Sequence, residues 1–301
     1  MQHGCRAYHV VMLMWGIIAI ATASLLWSFN PAVISRYGRA IKPLTFTGIR
    51  ASIALIPLLP LLFSRNTSLE LDLLAWIVIA LSAIIGPGIG DSLYALSIKT
   101  IGGSLAVTIS YTYIFFTQIF SRILANEIVG LKTVAGAFIA FMGIAISVSG
   151  KEHSKVVGVK EMSIGFLAGL GTAVAWGLGT VLVKISLRYI PDVVVLTAVR
   201  LIIIALSLLL VGYGVEGWYS KELVGDVMKA ATITGVLGWT IGMYLYIYAI
   251  SVMGASLAAI ATALTPVISQ ITTKTISHEK ISMRNIAGSI AVTLGVAITY
   301  L

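Results

Sequence analysis

A chain of 301 residues with 58% hydrophobic and 10% charged side chains is far from a water-soluble domain, which carries about 25% charged and roughly 45–50% apolar residues. Its mean hydropathy of +1.02 makes lipid the solvent for much of its surface. The net charge of +9 is spread singly over short polar stretches, which implies solvation and anionic headgroups as partners rather than nucleic acid. The single cysteine, Cys5, excludes an intrachain disulfide, and no metal-ligand spacing surrounds it.

Arg6 precedes an apolar run, and Ala21-Thr22-Ala23 resembles a cleavage site, which together have the form of a signal peptide. That reading fails because Trp27, just beyond, has a counterpart in the second half of the chain. Hydropathy predicts spans over 10–33, 43–63, 72–97, 103–124 and 131–149, then over 162–187, 191–213, 230–250, 255–276 and 284–300. Stretches of about 20 apolar residues cross roughly 30 Å of hydrocarbon as helices, because lipid offers the backbone no hydrogen bonds. Barrel strands would be about half as long and alternate in polarity, a pattern that is absent. The polar stretch from Gly150 to Glu161 reads as a linker, dividing the chain into 1–150 and 151–301.

The two parts repeat. At an offset of 152 residues, Gly86, Gly90 and Tyr94 fall on Gly238, Gly242 and Tyr246. At the same offset, Gly102, Ser104, Gln118 and Glu127 fall on Gly254, Ser256, Gln270 and Glu279. Nearer the start of each half the offset is 149 for Trp27 and Trp176, and 150 for Arg50 and Arg200. Chance similarity between apolar helices matches Leu and Ala, not Trp, Arg, Tyr, Gln and Glu in one order. Five helices per half is an odd number, so the halves begin on opposite sides of the membrane. The expected fold is therefore an all-α integral membrane protein of ten transmembrane helices, arranged as two inverted five-helix repeats around a central cavity. Inverted repeats recur in secondary transporters, with the binding site at the midplane between them.

The Trp near the end of each first helix and the sequences Ile49-Arg50-Ala51-Ser52 and Val199-Arg200-Leu201-Ile202 point further. So do Leu93-Tyr94-Ala95-Leu96 with Gly102-Gly103-Ser104-Leu105-Ala106, and their second copies at 245–249 and 254–258. On these residues the chain resembles the EamA-like proteins of the drug/metabolite transporter superfamily, one repeat per half. The family pattern places a Pro within each fourth helix and a Glu after it. The second half has Pro266 and Glu279; the first keeps Glu127 but has Ile114 in the Pro position, which leaves a kink there without its usual cause. The resemblance implies a multi-pass cell-membrane protein that is not an enzyme. It also implies export of amino acids or related small polar or amphipathic metabolites. Carriers of phosphorylated or nucleotide-type substrates belong to the same superfamily.

Arg50 and Arg200 lie roughly a third of the way into their helices, where a charge costs about 2.5–3.5 kcal/mol on insertion scales and usually faces a cavity or a partner. Functionally, each attracts an anionic group; structurally, each snorkels or holds helix-end carbonyls. Asp91 is the one acidic residue well inside a span, and Met243 stands opposite it in the repeat. It is a candidate for carrying a coupling proton, or else the partner of Arg50 or Arg200 in a buried ion pair.

Trp27, Tyr94, Tyr113, Trp176, Trp239 and Tyr246 come from the first, third and fourth helices of each repeat. Related exporters line a central cavity with these helices; equally, aromatics of membrane proteins often sit at the lipid interface. Asn30 and Pro31 are read as ending the first helix, where Pro frees a backbone carbonyl. Gln118 and Gln270 suit interhelical hydrogen bonds, and Glu127 and Glu279 suit the N-termini of the helices that follow them. The pairs Gly86/Gly90 and Gly238/Gly242 permit close helix approach.

No nucleophile elbow, zinc-binding helix, phosphate loop or acidic metal cluster is present, so no cofactor or metal is expected. That absence also counts against a membrane enzyme acting on lipid-linked substrates. Orientation is pulled two ways. A cytoplasmic N-terminus puts Arg6, Arg65, Arg122, Lys132, Lys184 and Arg188 inside against twelve basic residues outside, so charge favours an external N-terminus. The family resemblance implies that both termini are cytoplasmic. Oligomeric state is silent in the sequence.

Overall fold

The computed structural model describes residues 2–38, 40–65, 69–125, 130–148, 158–263 and 265–298, and among these no strand occurs. Glu127 and most of the expected linker lie outside the described residues. The first half holds α1 (Gln2–Trp27), α2 (Asn30–Arg36), α3 (Pro43–Leu55), α4 (Leu59–Phe63), α5 (Leu73–Ala83), α6 (Gly90–Ile101), α7 (Gly103–Ser110), α8 (Tyr113–Ala125) and α9 (Leu131–Val148). The second holds α10 (Val159–Ser186), α11 (Val193–Glu216), α12 (Lys221–Ile233), α13 (Tyr244–Met253), α14 (Ala255–Ala261), α15 (Thr265–Ile276) and α16 (Met283–Ile298). Among the described residues, seven helical stretches are long and apolar enough to cross a membrane: Val11–Arg36, Pro43–Phe63, Leu73–Ile101, Val159–Ser186, Val193–Glu216, Lys221–Met253 and Ala255–Ile276. The three remaining expected segments are helical as well, but the one at 103–124 is broken and α16 spans only 16 residues.

Three breaks shape the interior. The first helix stops at Trp27 and restarts at Asn30, with Pro31 in the opening turn of α2, where a missing N–H costs nothing. Asn30 and Pro31 therefore open a short helix instead of ending the long one. In the third span of each half the helix widens into a π stretch, Ile84–Ile89 and Thr234–Met243. Pro87 lies inside the first of these and cannot complete an α-helical hydrogen bond. The second contains no Pro, so the widening is shared by the repeats without sharing that cause. The fourth span breaks in both halves: at Tyr111-Thr112 between α7 and α8, and after Ala261 between α14 and α15. The first half thus breaks without a Pro at Ile114. The Thr112 hydroxyl donates to the Ile109 carbonyl at 2.7 Å, and Thr262 does the same to Ala259 at 2.6 Å. Each threonine hydroxyl thus adds a second hydrogen bond to a carbonyl that its own N–H already reaches in the turn.

Gly102 and Gly254 stop the third spans with φ of 83° and 84°. Their ψ values of 159° and 169° complete a backbone region open only to glycine. Packing crosses between the halves. Helix α3 runs along α11 and α9 along α16, while α1 lies on α13 and its π stretch, and α10 lies on α5, α6 and theirs. Helix α10 also packs against α8. At one end of the bundle the Glu279 carboxylate accepts from the N–H groups of Gly103, at 2.8 Å, and Ser104, at 3.2 Å, and from the Ser35 hydroxyl. It therefore caps α7 of the other half, not the helix that follows it, a contact that only tertiary packing creates. Glu216 likewise accepts across the halves, from the N–H of Leu44 and Thr45 at the start of α3. The Lys42 ammonium donates to the carbonyls of Glu216 and Trp218. Partial burial pushes the nearby Tyr219 phenol above its ordinary range.

Candidate functional site

Asn30, both π stretches and the break at Tyr111 border an interior cavity of about 90 Å³, room for several water molecules. Asp91 is its polar centre. Its Oδ2 accepts from Arg50 Nη1 at 2.6 Å and Trp239 Nε1 at 3.1 Å, and its Oδ1 from Trp176 Nε1 at 2.7 Å. The Arg50 guanidinium sits 4.3 Å from the Trp239 ring centroid, a cation–π contact between the halves. Arg50 is only 1% exposed, and its Nε and Nη2 find no hydrogen-bond partner. Of the two partners the sequence offered Asp91, the structure takes Arg50 and not Arg200.

Arg200 is held differently. Its Nε donates to the Ser82 hydroxyl at 3.0 Å and its Nη2 to the Ser82 carbonyl at 2.9 Å, both neutral groups. Arg200 thus clamps the backbone at the junction of α5 and its π stretch, and it also lines the cavity.

The aromatic residues interlock. Trp27 Nε1 donates to the Gly238 carbonyl at 2.8 Å, and its ring meets Tyr246 edge-on at 5.1 Å. The Tyr246 hydroxyl lies 3.1 Å from Thr180 Oγ1 and 3.4 Å from the Tyr113 hydroxyl, which in turn pairs with Thr262 at 2.8 Å. Trp176 packs against Tyr94, Tyr111 and Tyr113 at 5.0, 6.0 and 5.8 Å, the tilted and edge-on arrangements that ring quadrupoles favour.

Glycine decides where the indoles go. A Cβ on Gly90 would lie 2.6 Å from Trp176, and one on Gly242 would lie 2.7 Å from Trp27. Each Trp thus fits against the bare backbone of the opposite half. Gly86 and Gly179 bring two backbones together, for a Cβ on Gly179 would lie 2.4 Å from the Gly86 Cα.

Trp27, Asn30, Asp91, Tyr94, Tyr113, Trp176, Arg200, Trp239 and Tyr246 all line the cavity, whereas Arg50 stands behind Asp91 and outside the lining. None of the six aromatics faces lipid as an isolated ring. Tyr111, Thr180 and Ser82 were missed. Thr180 lies four residues after Trp176, on the same helix face. Tyr111 sits at a break that no Pro advertises, and no sequence signal marks Ser82. Gln270 makes interhelical bonds, its Nε2 donating to the Ser104 carbonyl at 3.1 Å and to Ser289 at 2.8 Å. Gln118 differs from its counterpart, because its Nε2 has no partner.

Among the described residues no three His, Cys, Asp or Glu side chains converge on a metal site. The cavity thus joins an anchored carboxylate, an anchored guanidinium and a ring of indoles and phenols from both halves.

The sequence profile of the EamA-like transporter family matches residues 14–149 and again 163–301. The chain is 24% identical over 291 residues to the uncharacterized transporter YoaV of Bacillus subtilis, covering 95% of this chain and 96% of that protein. An uncharacterized transporter of Archaeoglobus fulgidus is also 24% identical, over 289 residues, covering 96% of this chain and 99% of the other. A crystal structure of a protein 20% identical in sequence superposes with a TM-score of 0.66, covering 95% of this chain and 97% of that one; it shares the fold. With the apolar helices and the two profile matches together, this multi-pass cell-membrane protein belongs to the EamA-like transporter family.

Proposed function

We propose that the protein is a secondary transporter that exports small polar or amphipathic metabolites, amino acids or related compounds, by alternating access. Its units are residues 1–150 and 151–301, related as inverted repeats. The observation that carries the reading is the cavity wall, to which both halves contribute a π stretch, an indole and a phenol at matching places. A site at such a junction is opened to either side by rocking one half against the other. Family membership favours transport over a membrane enzyme.

In this reading Asp91 carries the coupling proton. A proton arriving on Asp91 releases Arg50 and the two indoles that it now holds, which links protonation to the packing of both halves. The test is solute flux in proteoliposomes with and without an imposed pH gradient, comparing wild type with Asp91→Asn. Gradient-stimulated flux in the wild type, with only gradient-independent exchange in the variant, is expected. Equal stimulation in both would remove Asp91 from the mechanism.

A further inference from the structure

The repeat pairs Arg50 with Arg200 and Asp91 with Met243. In the first half the pair is complete, with Asp91 bonded to Arg50 at 2.6 Å. In the second half the acid has been replaced by a thioether, and no ion pair among the described residues includes Arg200. Arg200 is 3% exposed, lines the cavity and keeps its charge at any physiological pH. Its Nε and Nη2 are directed onto Ser82, which supplies hydrogen bonds but no negative charge. Asp91 and Arg50 cancel, so the cavity carries one uncompensated positive charge amid Trp27, Tyr246, Trp239 and Met243. A buried guanidinium without a counter-ion is costly, and a bound anion removes that cost.

We infer that the cavity selects small organic monoanions, with a carboxylate on Arg200 and an apolar or aromatic body against the indole and phenol rings. This rests on the transport reading only for what happens after binding. A single free charge suits a monoanion; a phosphate dianion would need the second arginine, which Asp91 already holds. A bare cation meets net repulsion and finds no free carboxylate.

The experiment titrates the 301-residue chain in lipid nanodiscs, reading intrinsic tryptophan fluorescence, with four phenylalkyl probes that differ in headgroup: 3-phenylpropionate, 3-phenylpropionamide, 3-phenylpropylamine and 2-phenylethyl phosphate. The carboxylate is expected to bind at least about tenfold more tightly than each of the others. Met243→Asp restores the missing acid and is expected to bring the carboxylate and the amide within about twofold of each other. Arg200→Gln does the same by removing the charge, whereas Arg200→Lys retains the preference. Met243→Asp leaves the Ser82 clamp intact, so it separates charge selection from folding.

Equal or tighter binding of the amide, amine or phosphate overturns the inference. So does a preference that survives both Met243→Asp and Arg200→Gln, or the absence of binding by any probe. Carboxylate binding that depends on Arg200 but is followed by no flux in proteoliposomes upholds this inference and overturns the transport reading. Flux of the amine in preference to the carboxylate does the reverse.

Discussion

The indole N–H of Trp176, in the second half of the chain, donates to Oδ1 of Asp91, in the first, at 2.7 Å. The other carboxylate oxygen is taken by Arg50 and Trp239. One carboxylate thus joins α3, α6, α10 and the π stretch of the second half, and its removal is felt in all four.

Asp91→Asn keeps the shape and removes the charge, leaving Arg50 buried and uncompensated. A loss of about 3–5 kcal/mol is expected on breaking such a pair, read as a lower unfolding midpoint in detergent. Replacing both members, Asp91→Leu with Arg50→Met, recovers part of that loss, because an apolar pair leaves no charge to desolvate while the Trp176 and Trp239 indoles still lose their acceptor.

The two equivalent tryptophans do not weigh the same. Trp176 donates to a carboxylate and Trp27 to the neutral carbonyl of Gly238. Hydrogen bonds to charged groups are worth about 1.5–3 kcal/mol against about 0.5–1.5 for neutral ones. Trp176→Phe is therefore expected to destabilise more than Trp27→Phe, measured side by side by thermal unfolding in one detergent.

Gly179→Ala puts a methyl 2.4 Å from the Gly86 Cα, where only backbone can move aside. A loss of about 1–3 kcal/mol and a disturbed cavity are expected. Gly225, at an exposed position of α12, has nothing within 4 Å of its would-be Cβ. Gly225→Ala is expected to stabilise by about 0.5–1 kcal/mol through helix propensity alone.

Glu279→Ala removes the acceptor shared by Gly103, Ser104 and Ser35. Loss of a helix cap costs about 0.5–2 kcal/mol, and this one also ties the two halves together at one end. With Cys5→Ser as background, a cysteine introduced by Ser35→Cys is expected to react faster with a soluble maleimide when Glu279→Ala is added. An unchanged rate would show that Glu279 does not hold that end shut.

Native Cys5 tests orientation. The family topology expects no labelling of intact cells by a membrane-impermeant maleimide and full labelling after permeabilisation. Labelling of intact cells would favour the charge bias instead.

Several features were legible in the sequence because they depend on solvent and local chemistry. Apolar runs in lipid have to be helical, so the element type and the approximate ends followed from hydropathy alone. The matched pairs Trp27/Trp176 and Tyr94/Tyr246 all line one cavity, because a repeated unit places like residues at like positions. Asp91 stood out as the acid inside a span, and Met243 as the place where the repeat loses it.

What the sequence left undecided depended on which surfaces meet. It offered Asp91 two arginines, and the choice of Arg50 came from the packing of α3 against α6. It put Glu279 at the start of its own following helix, whereas cross-packing carries the carboxylate to α7. Ser82, the anchor of Arg200, carries no signal, because a serine becomes a partner only when another helix delivers a donor to it. The π stretch without a Pro and the break without a Pro at Ile114 belong to the same class. There, backbone that breaks the α-helical pattern is paid for by neighbouring threonines and glycines that local propensity cannot weigh. Composition and periodicity determined the solvent, the helices and the repeat; which arginine meets Asp91 and which is held on Ser82 was decided only when the two halves closed on each other.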